Sequence, residues 1–468
     1  MNLPVDARRP SLFAIDPRLG GRIVRLASPV IIGMLVQTTI NVVDTIMVGH
    51  LPPAQATPGQ AALEVSLLLL WFLGGFLGAI SVGTQALTAR RIGEGDDARA
   101  SQVLTNSIVI AFLSSVVLTA AAWLATPWLF RLVNHHPQVI AVGLPYWRWR
   151  LIGMLSMVGT LAVKSFFDGI GQTKVHMTVS VLMNVVNIVL AYGLIFGHLG
   201  MPRLEVEGAG IAAAVSSYVG FFLMLGALLL PRFRRRFHYL RLSNLSRRVA
   251  GDIVRLSLPS GIATMVVMTG FGLFYRIVGE TDLLRGGGGT VNFTATSIII
   301  RILSLLFIAA LGYGTATATL VSQSMGEKKP DLAERYGWEA VRIGAYAGAV
   351  LALVTVVFAT PILEIFTRDA AVIAAALPAL RLAGVFEPMM VAALVFTQAH
   401  FGAGNARLVM TLEVALHFGC LVPLTWVLGV WLALGMLGVW SAAMTYILLL
   451  ALILGWKFGQ GKWKEIVI

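Results

Sequence analysis

Asp44 is the only ionisable side chain between Arg25 and His50, in the run LASPVIIGMLVQTTINVVDTIMVG. A helix rising ~1.5 Å per residue carries it roughly 28 Å from Arg25, and the hydrocarbon core of a bilayer is ~30 Å thick. With Arg25 at the inner boundary, Asp44 falls in the outer half of a membrane span. A carboxylate there needs water, a partner or a transported ion, and it can take up and release a proton or a small cation. Asn41 and Gln37 lie one and two turns back on the same helical face. The three polar residues predict one stripe lining a cavity. The competing structural reading is a carboxyl group held neutral by hydrogen bonds between helices.

Other polar side chains fall inside apolar runs. Glu64 opens a second apolar segment, and a solvated interfacial carboxylate is expected there. Glu387 stands in mid-segment before Pro388, as a second protonatable group or the partner of an arginine. Arg276 is expected to snorkel to the interface. Arg301 is deeper, and Arg301, Arg381 and Glu387 form a candidate ion network. Lys164 and Asp168, four residues apart in KSFFDGIGQTK, are spaced to pair on a helix. His417 is expected to be a satisfied packing residue. Met265, Met268 and Met390, with Phe271 and Phe274, define a possible apolar pocket for aromatic cations, together with Glu387 and Arg301. Plain core packing is the alternative. Neither HExxH nor GxSxG occurs, so neither metalloprotease nor serine-hydrolase chemistry is indicated. No enzyme activity, cofactor or metal site is expected.

These residues need helices to hold them. The chain has 468 residues, 57% hydrophobic and 12% charged, with a mean hydropathy of +0.83. Soluble domains carry about 25% charged residues, so the chain reads as a membrane protein. Long apolar runs make helices the spanning element. Twelve are predicted, over 24–49, 60–86, 101–126, 140–163, 175–197, 207–230, 252–278, 293–318, 338–361, 374–398, 408–431 and 437–456. The net charge of +13 sits in the turns that follow even-numbered segments: Arg90, Arg91 and Arg99, then Lys174, then Lys328, Lys329 and Arg335, then Lys457, Lys462 and Lys464. The turn LPPAQATPGQ after the first segment has none. This asymmetry predicts both termini in the cytoplasm and argues against nucleic acid as a partner. No removable signal peptide is expected, because the first residues lack a short apolar core with a cleavage site. Cys420 is the single cysteine, which excludes an intrachain disulfide.

The two halves repeat. RLASP at 25–29 matches RLSLP at 255–259, and TQALTARRIGE at 84–94 matches TATLVSQSMGE at 317–327. DGIGQTKVHM at 168–177 matches FGAGNARLVM at 401–410, and GIAAAVSSY at 210–218 matches GVWSAAMTY at 438–446. The offsets are 230, 233, 233 and 228. Six helices per copy make the repeat parallel, a plan in which transporters bind substrate between the halves. The expected organisation is an N-terminal segment (1–23), an N-lobe (24–230), a basic linker (231–250), a C-lobe (251–456) and a tail (457–468). At an offset of 230, Asp44 pairs with Phe274, so the symmetry is broken at the cation-binding residue.

The segments SPVIIGMLVQTTINVVDTIMVGHL, GTQALTARRIGEGD, FFDGIGQTK, MNVVNIVLAYGLIFG, VEGAGIAAAVSSY and GYGTATATLVSQSMGE, in this order and spacing, resemble the multidrug and toxic compound extrusion (MATE) family of secondary transporters. The resemblance covers about residue 20 to 456. It implies an all-α membrane protein with two six-helix lobes around a V-shaped cavity. It further implies alternating access and export driven by inward flow of H⁺ or Na⁺. The family's N-lobe coupling carboxylate falls on Asp44, and its helix-five asparagine on Asn187. Gln37, Asn41 and Asn184 complete the expected coupling network. Two further polar positions of some members hold Ala191 and Ala213. The C-lobe acids of the NorM-like branch fall on Val267 and Met390, which makes the chain look closer to the DinF-like branch. The expectation is therefore an H⁺-coupled exporter of amphipathic, cationic small molecules, monomeric, in a bacterial-type inner membrane. Na⁺ coupling, organic-anion export and flipping of lipid-linked precursors are the alternatives.

Overall fold

The computed structural model describes residues 14–133, 137–239, 241–284 and 290–468. Twelve spans can be traced: α1 (Pro17–Gly49), α2 (Pro53–Gly78, running on as Ile80–Gly93), α3 (Asp97–Val133), α4 (Pro137–Gly169), α5 (Lys174–Phe196), α6 (Glu205–Leu228), α7 (Arg247–Leu284), α8 (Val291–Gly326), α9 (Pro330–Val357), α10 (Ala370–Val385 with Glu387–Gly402), α11 (Ala406–Trp431) and α12 (Gly435–Gly459). Eleven are long and apolar enough to cross a membrane singly, and the bent pair of α10 makes the twelfth. There are no strands among the described residues.

Most helices outrun their apolar stretches. α1 starts at Pro17 because Asp16 caps it, its carboxylate accepting from the backbone N–H of Arg18 at 2.9 Å and of Leu19 at 3.4 Å. Hydropathy marks only the part of a helix immersed in lipid, whereas backbone hydrogen bonding continues beyond it. Two spans are irregular. α10 bends by 54° at Phe386, where Pro388 lacks an N–H for the Gly384 carbonyl and its ring crowds that carbonyl. α11 carries π-turns at His417–Leu421 and Val427–Trp431 on either side of Pro423, and a π-turn widens the helix by one residue per ring.

The sequence repeat is visible in the backbone. After α2, Gly95 adopts a positive φ of 77°, and after α8 Lys328 adopts 58°. The same turn follows each: Asp96 N–H to Arg91 O at 2.9 Å, and Lys329 N–H to Ser324 O at 2.9 Å. After α4 and α10, Gly171 and Gly404 take φ of 74° and 87°. Each pair is 233 residues apart. Gly93 and Gly326, again 233 apart, cross at their Cα atoms. A Cβ on Gly93 would strike the Gln323 carbonyl, and one on Gly326 would strike the Arg90 carbonyl. Arg90 and Gln323 are themselves repeat partners. Such reciprocal contact is what a two-fold axis produces, so the axis relating α1–α6 to α7–α12 passes between these glycines.

Around that crossing the lobes are stitched by hydrogen bonds. Gln85 Nε2 donates to Thr315 O and Thr319 Oγ1, both at 2.9 Å. Ser322 Oγ donates to Ala86 O at 2.7 Å, and Gln323 Nε2 to Gly169 O at 2.8 Å. Both ends of the described chain lie on this same face. Asp16 pairs with Arg335 at 3.1 Å, and Arg91 Nη2 donates to Ile468 O at 2.8 Å.

α1 belongs to both lobes. Its first half, through Leu19 and Ile23, is buried among Leu306, Tyr336 and Val395 of the C-lobe. Its second half, through Val48, packs with Ala191 and Ile195 of α5. Pro29 lies between the two. The segment after α6 is folded down rather than free. Phe233, Phe237 and Tyr239 are buried against Phe166 and Phe167 of α4, with ring centroids 5.2 Å apart for Phe166–Phe237 and Phe167–Phe233. Arg236 makes two 2.8 Å hydrogen bonds to Asp97, and these raise its guanidinium above the ordinary value.

Candidate functional site

Asp44 is set by the stripe Ile40, Asp44 and Val48, the buried positions of the second half of α1. Its side chain is only 2% exposed. Oδ1 is buried and has no hydrogen-bond partner among the described residues. No ion pair within 4 Å is formed by it among those residues either. Burial rises along the polar stripe: Gln37 is exposed, Asn41 is half-buried and Asp44 is closed over.

α5 supplies two more buried oxygens. Asn184 donates through Nδ2 to the Val36 carbonyl of α1 at 2.5 Å, and Asn187 donates through Nδ2 to Ser216 Oγ of α6 at 3.5 Å. The amide groups are thereby fixed, and their Oδ1 atoms are left buried without donors. Ala191 and Ala213, both buried, add no polar atom. The acceptors Asp44 Oδ1, Asn184 Oδ1 and Asn187 Oδ1 thus come from two adjoining helices. Acceptors without donors are satisfied by a proton on the carboxyl group or by a small hard cation.

Two residues the sequence reading passed over join this region. Arg150 and Tyr146 of α4 lie within electrostatic reach of Asp44. Arg150 is half-buried and permanently charged. The guanidinium thus sets a fixed positive charge within electrostatic reach of the buried carboxyl group. The available signal was an arginine well inside the predicted span 140–163, in YWRWRL. Beside it, Trp149 Nε1 donates to Glu207 Oε1 of α6 at 3.0 Å.

The residues expected to form a C-lobe pocket lie in different settings. Met265 and Met268 are half-buried on α7, and Phe271 is exposed. Phe274 is a core residue, its ring edge-on to Trp440 at 6.0 Å, because that face of α7 turns onto α12. Met390 is half-buried against the core. Glu387 begins the second half of α10, where Thr355 Oγ1 donates to it at 2.8 Å. Arg301 reaches instead toward Glu64 of the other lobe, with 3.7 Å between Nη2 and Oε1 and side chains 68% and 58% exposed. Among the described residues no ion pair joins Arg301 or Arg381 to Glu387: Thr355 holds Glu387 on α9, and Arg301 reaches Glu64. Lys164 and Asp168 pair at 2.6 Å. His417 is not a plain packing residue, since its Nδ1 lies 3.2 Å from Glu413 Oε2.

The MatE family model matches residues 29–193 and 281–427, one block in each lobe. The chain belongs to the MatE family. Members of this family are membrane transporters rather than enzymes, and the chain is a multi-pass membrane protein of that kind. Among its relatives, a probable multidrug resistance protein NorM of Thermotoga maritima is 25% identical over 96% of this chain and 94% of its own. The multidrug resistance protein NorM of Burkholderia vietnamiensis is 26% identical over 93% and 92%. Among solved structures, a transporter of the MOP superfamily from Pyrococcus furiosus superposes with a TM-score of 0.86 at 23% identity. That match covers 97% of this chain and 98% of the other. The structure is described with the words "reverse polarity of binding pocket suggests different function", a statement about that protein. The likeness establishes the shared fold.

Proposed function

We propose that this MatE protein is a multidrug efflux antiporter that exports amphipathic cations in exchange for protons, with Asp44 as the coupling group. One observation carries this reading: a carboxylate buried in a membrane span, with a free oxygen and no close ion pair among the described residues. The names of the relatives support drug export. The loop charges support cytoplasmic termini, which puts the stitched face inside and the Glu64–Arg301 side outside. In that orientation the lobes are joined at the cytoplasmic face, an outward-open arrangement.

The cycle follows from the geometry. Asp44 takes a proton from outside and its carboxylate is neutralised. Its attraction to Arg150 and its demand on the α1–α5 contact both change. α1 carries the change across Pro29 into the C-lobe, where its first half is anchored. Substrate leaves outward, the lobes rock, and the proton is released inside. A coupling ion shifts the cycle only through different affinities in the two states, and the charge change at Asp44 supplies such a difference. We place the chain nearer the DinF-like branch, since Val267 and Met390 stand where the NorM-like C-lobe acids fall. The relatives carry NorM names, so this placement rests on those two positions alone.

Sodium is the second reading, favoured by the three donor-free oxygens of Asp44, Asn184 and Asn187. Uptake of a fluorescent amphipathic cation into everted vesicles separates the two. A pH gradient alone should drive uptake and a Na⁺ gradient alone should not. The opposite result transfers the coupling role to Na⁺.

A further inference from the structure

We propose that the C-lobe holds a second proton-binding site, formed by Glu413 and His417 of α11 and Tyr446 of α12, which loads and unloads in the same transport cycle as Asp44. Its role in transport rests on the exchange reading above; its capacity to bind a proton does not.

The geometry fixes the chemistry. His417 is 0% exposed. Its Nδ1 lies 2.9 Å from the Glu413 main-chain oxygen and 3.2 Å from Glu413 Oε2. Both are acceptors, so Nδ1 carries the hydrogen. Nε2 is then a bare lone pair, and it is buried with no hydrogen-bond partner. Tyr446 donates its O–H to Glu413 Oε2 at 2.8 Å, which orients the carboxylate, and the Tyr446 ring lies 4.6 Å from the imidazole. Before proton uptake the cluster holds one carboxylate and a neutral ring. Uptake forms one N–H bond at Nε2 with a proton from solvent and leaves an imidazolium–carboxylate pair of zero net charge. Release breaks that bond and returns the proton to solvent. No electron transfer is involved.

The titratable groups against His417 are Glu413 on its own span and Tyr446 on α12, with Cys420 of the same span within electrostatic reach of Tyr446. α7 presents Gly270, where a Cβ would strike the ring's Cδ2 and lie 3.3 Å from Nε2, so only a glycine lets this edge of the imidazole pack on the helix that carries Met268 and Phe271. The ring also opens the π-turn His417–Leu421, a local widening of the kind found at functional sites in helices. A charge change at His417 thus acts at the first residue of the π-turn in α11. This arrangement supplies the C-lobe with a titrating group although Val267 and Met390 do not.

The test uses the full chain in lipid nanodiscs with ¹⁵N-labelled histidine, the His417 signal being identified by its loss in His417→Gln. On acidification from about pH 8 to about pH 5, the range in which histidine switches are built, Nε2 should change from an unprotonated to a protonated ¹⁵N signal. The same change should occur in Asp44→Asn, so failure of the Asp44 reading leaves this result intact. Glu413→Gln should abolish it. In vesicles reconstituted with substrate, His417→Gln should export with about one proton fewer per substrate than the natural chain. A His417 Nε2 that stays unprotonated throughout, or a proton-to-substrate ratio unchanged in His417→Gln, overturns the proposal. If His417→Gln fails to fold, the His417 signal is identified instead as the histidine signal shifted by Tyr446→Phe, whose ring lies 4.6 Å from the imidazole, and its persistence in protonated form in Glu413→Gln overturns the site.

Discussion

At the scale of single residues, the account turns on which buried groups lack a partner. Asp44 stood out in the sequence because a lone acid in a long apolar run is costly to keep there, and the structure buries it. Arg150 did not, since its span begins with several polar and aromatic residues and looks interfacial. Its weight comes from a tertiary approach of α4 to α1 that no local pattern records. If the guanidinium competes with the mobile cation, Arg150→Gln should leave the protein inserted but slow export about tenfold, a barrier change of ~1.4 kcal/mol. Arg150→Lys should retain much of the rate. Initial rates of dye export from cells with matched membrane levels measure this. His417 shows the opposite error: a histidine on an apolar face reads as packing until Glu413 and Tyr446, one turn and one helix away, are seen to meet it.

At the scale of elements, α1 is the part that joins site to scaffold. Its first half is buried in the C-lobe and its second half in the N-lobe, with Pro29 between. A proline in a helix interior removes one backbone hydrogen bond and permits bending. Pro29→Ala should therefore stiffen α1, lowering the export rate roughly tenfold while leaving thermal stability equal or higher. Paired transport and unfolding measurements in detergent would show whether the two quantities separate. The folded segment after α6 is a structural prop by contrast. Phe237 is fully buried against Phe166, and Phe237→Ala should cost on the order of 3 kcal/mol of stability, lowering the unfolding temperature. Sequence showed this stretch as basic, because arginines outnumber the aromatic anchors that dock it. Likewise it showed α10 as one helix, with Pro388 visible but the 54° bend fixed only by packing around it.

At the scale of the whole molecule, the internal repeat was the most legible feature, and it places the axis. Two matched glycines, Gly93 and Gly326, allow α2 and α8 to cross at backbone contact. Gly326→Leu should hold the lobes apart on the face carrying the termini. Transport should fall to background while insertion persists, and a cysteine introduced at Ala86 should become labelled by a membrane-permeant thiol reagent. Unchanged labelling would remove the crossing from the gate. In the proposed exchange cycle the lobe arrangement gives Asp44 its role, for a rocking pair of lobes does work only if something loaded on one side biases the rocking. The most direct measurement is pH-gradient-driven uptake of a fluorescent amphipathic cation into everted vesicles containing Asp44→Asn at the natural expression level. The account predicts uptake indistinguishable from empty vesicles; uptake at the rate of the natural chain would contradict it.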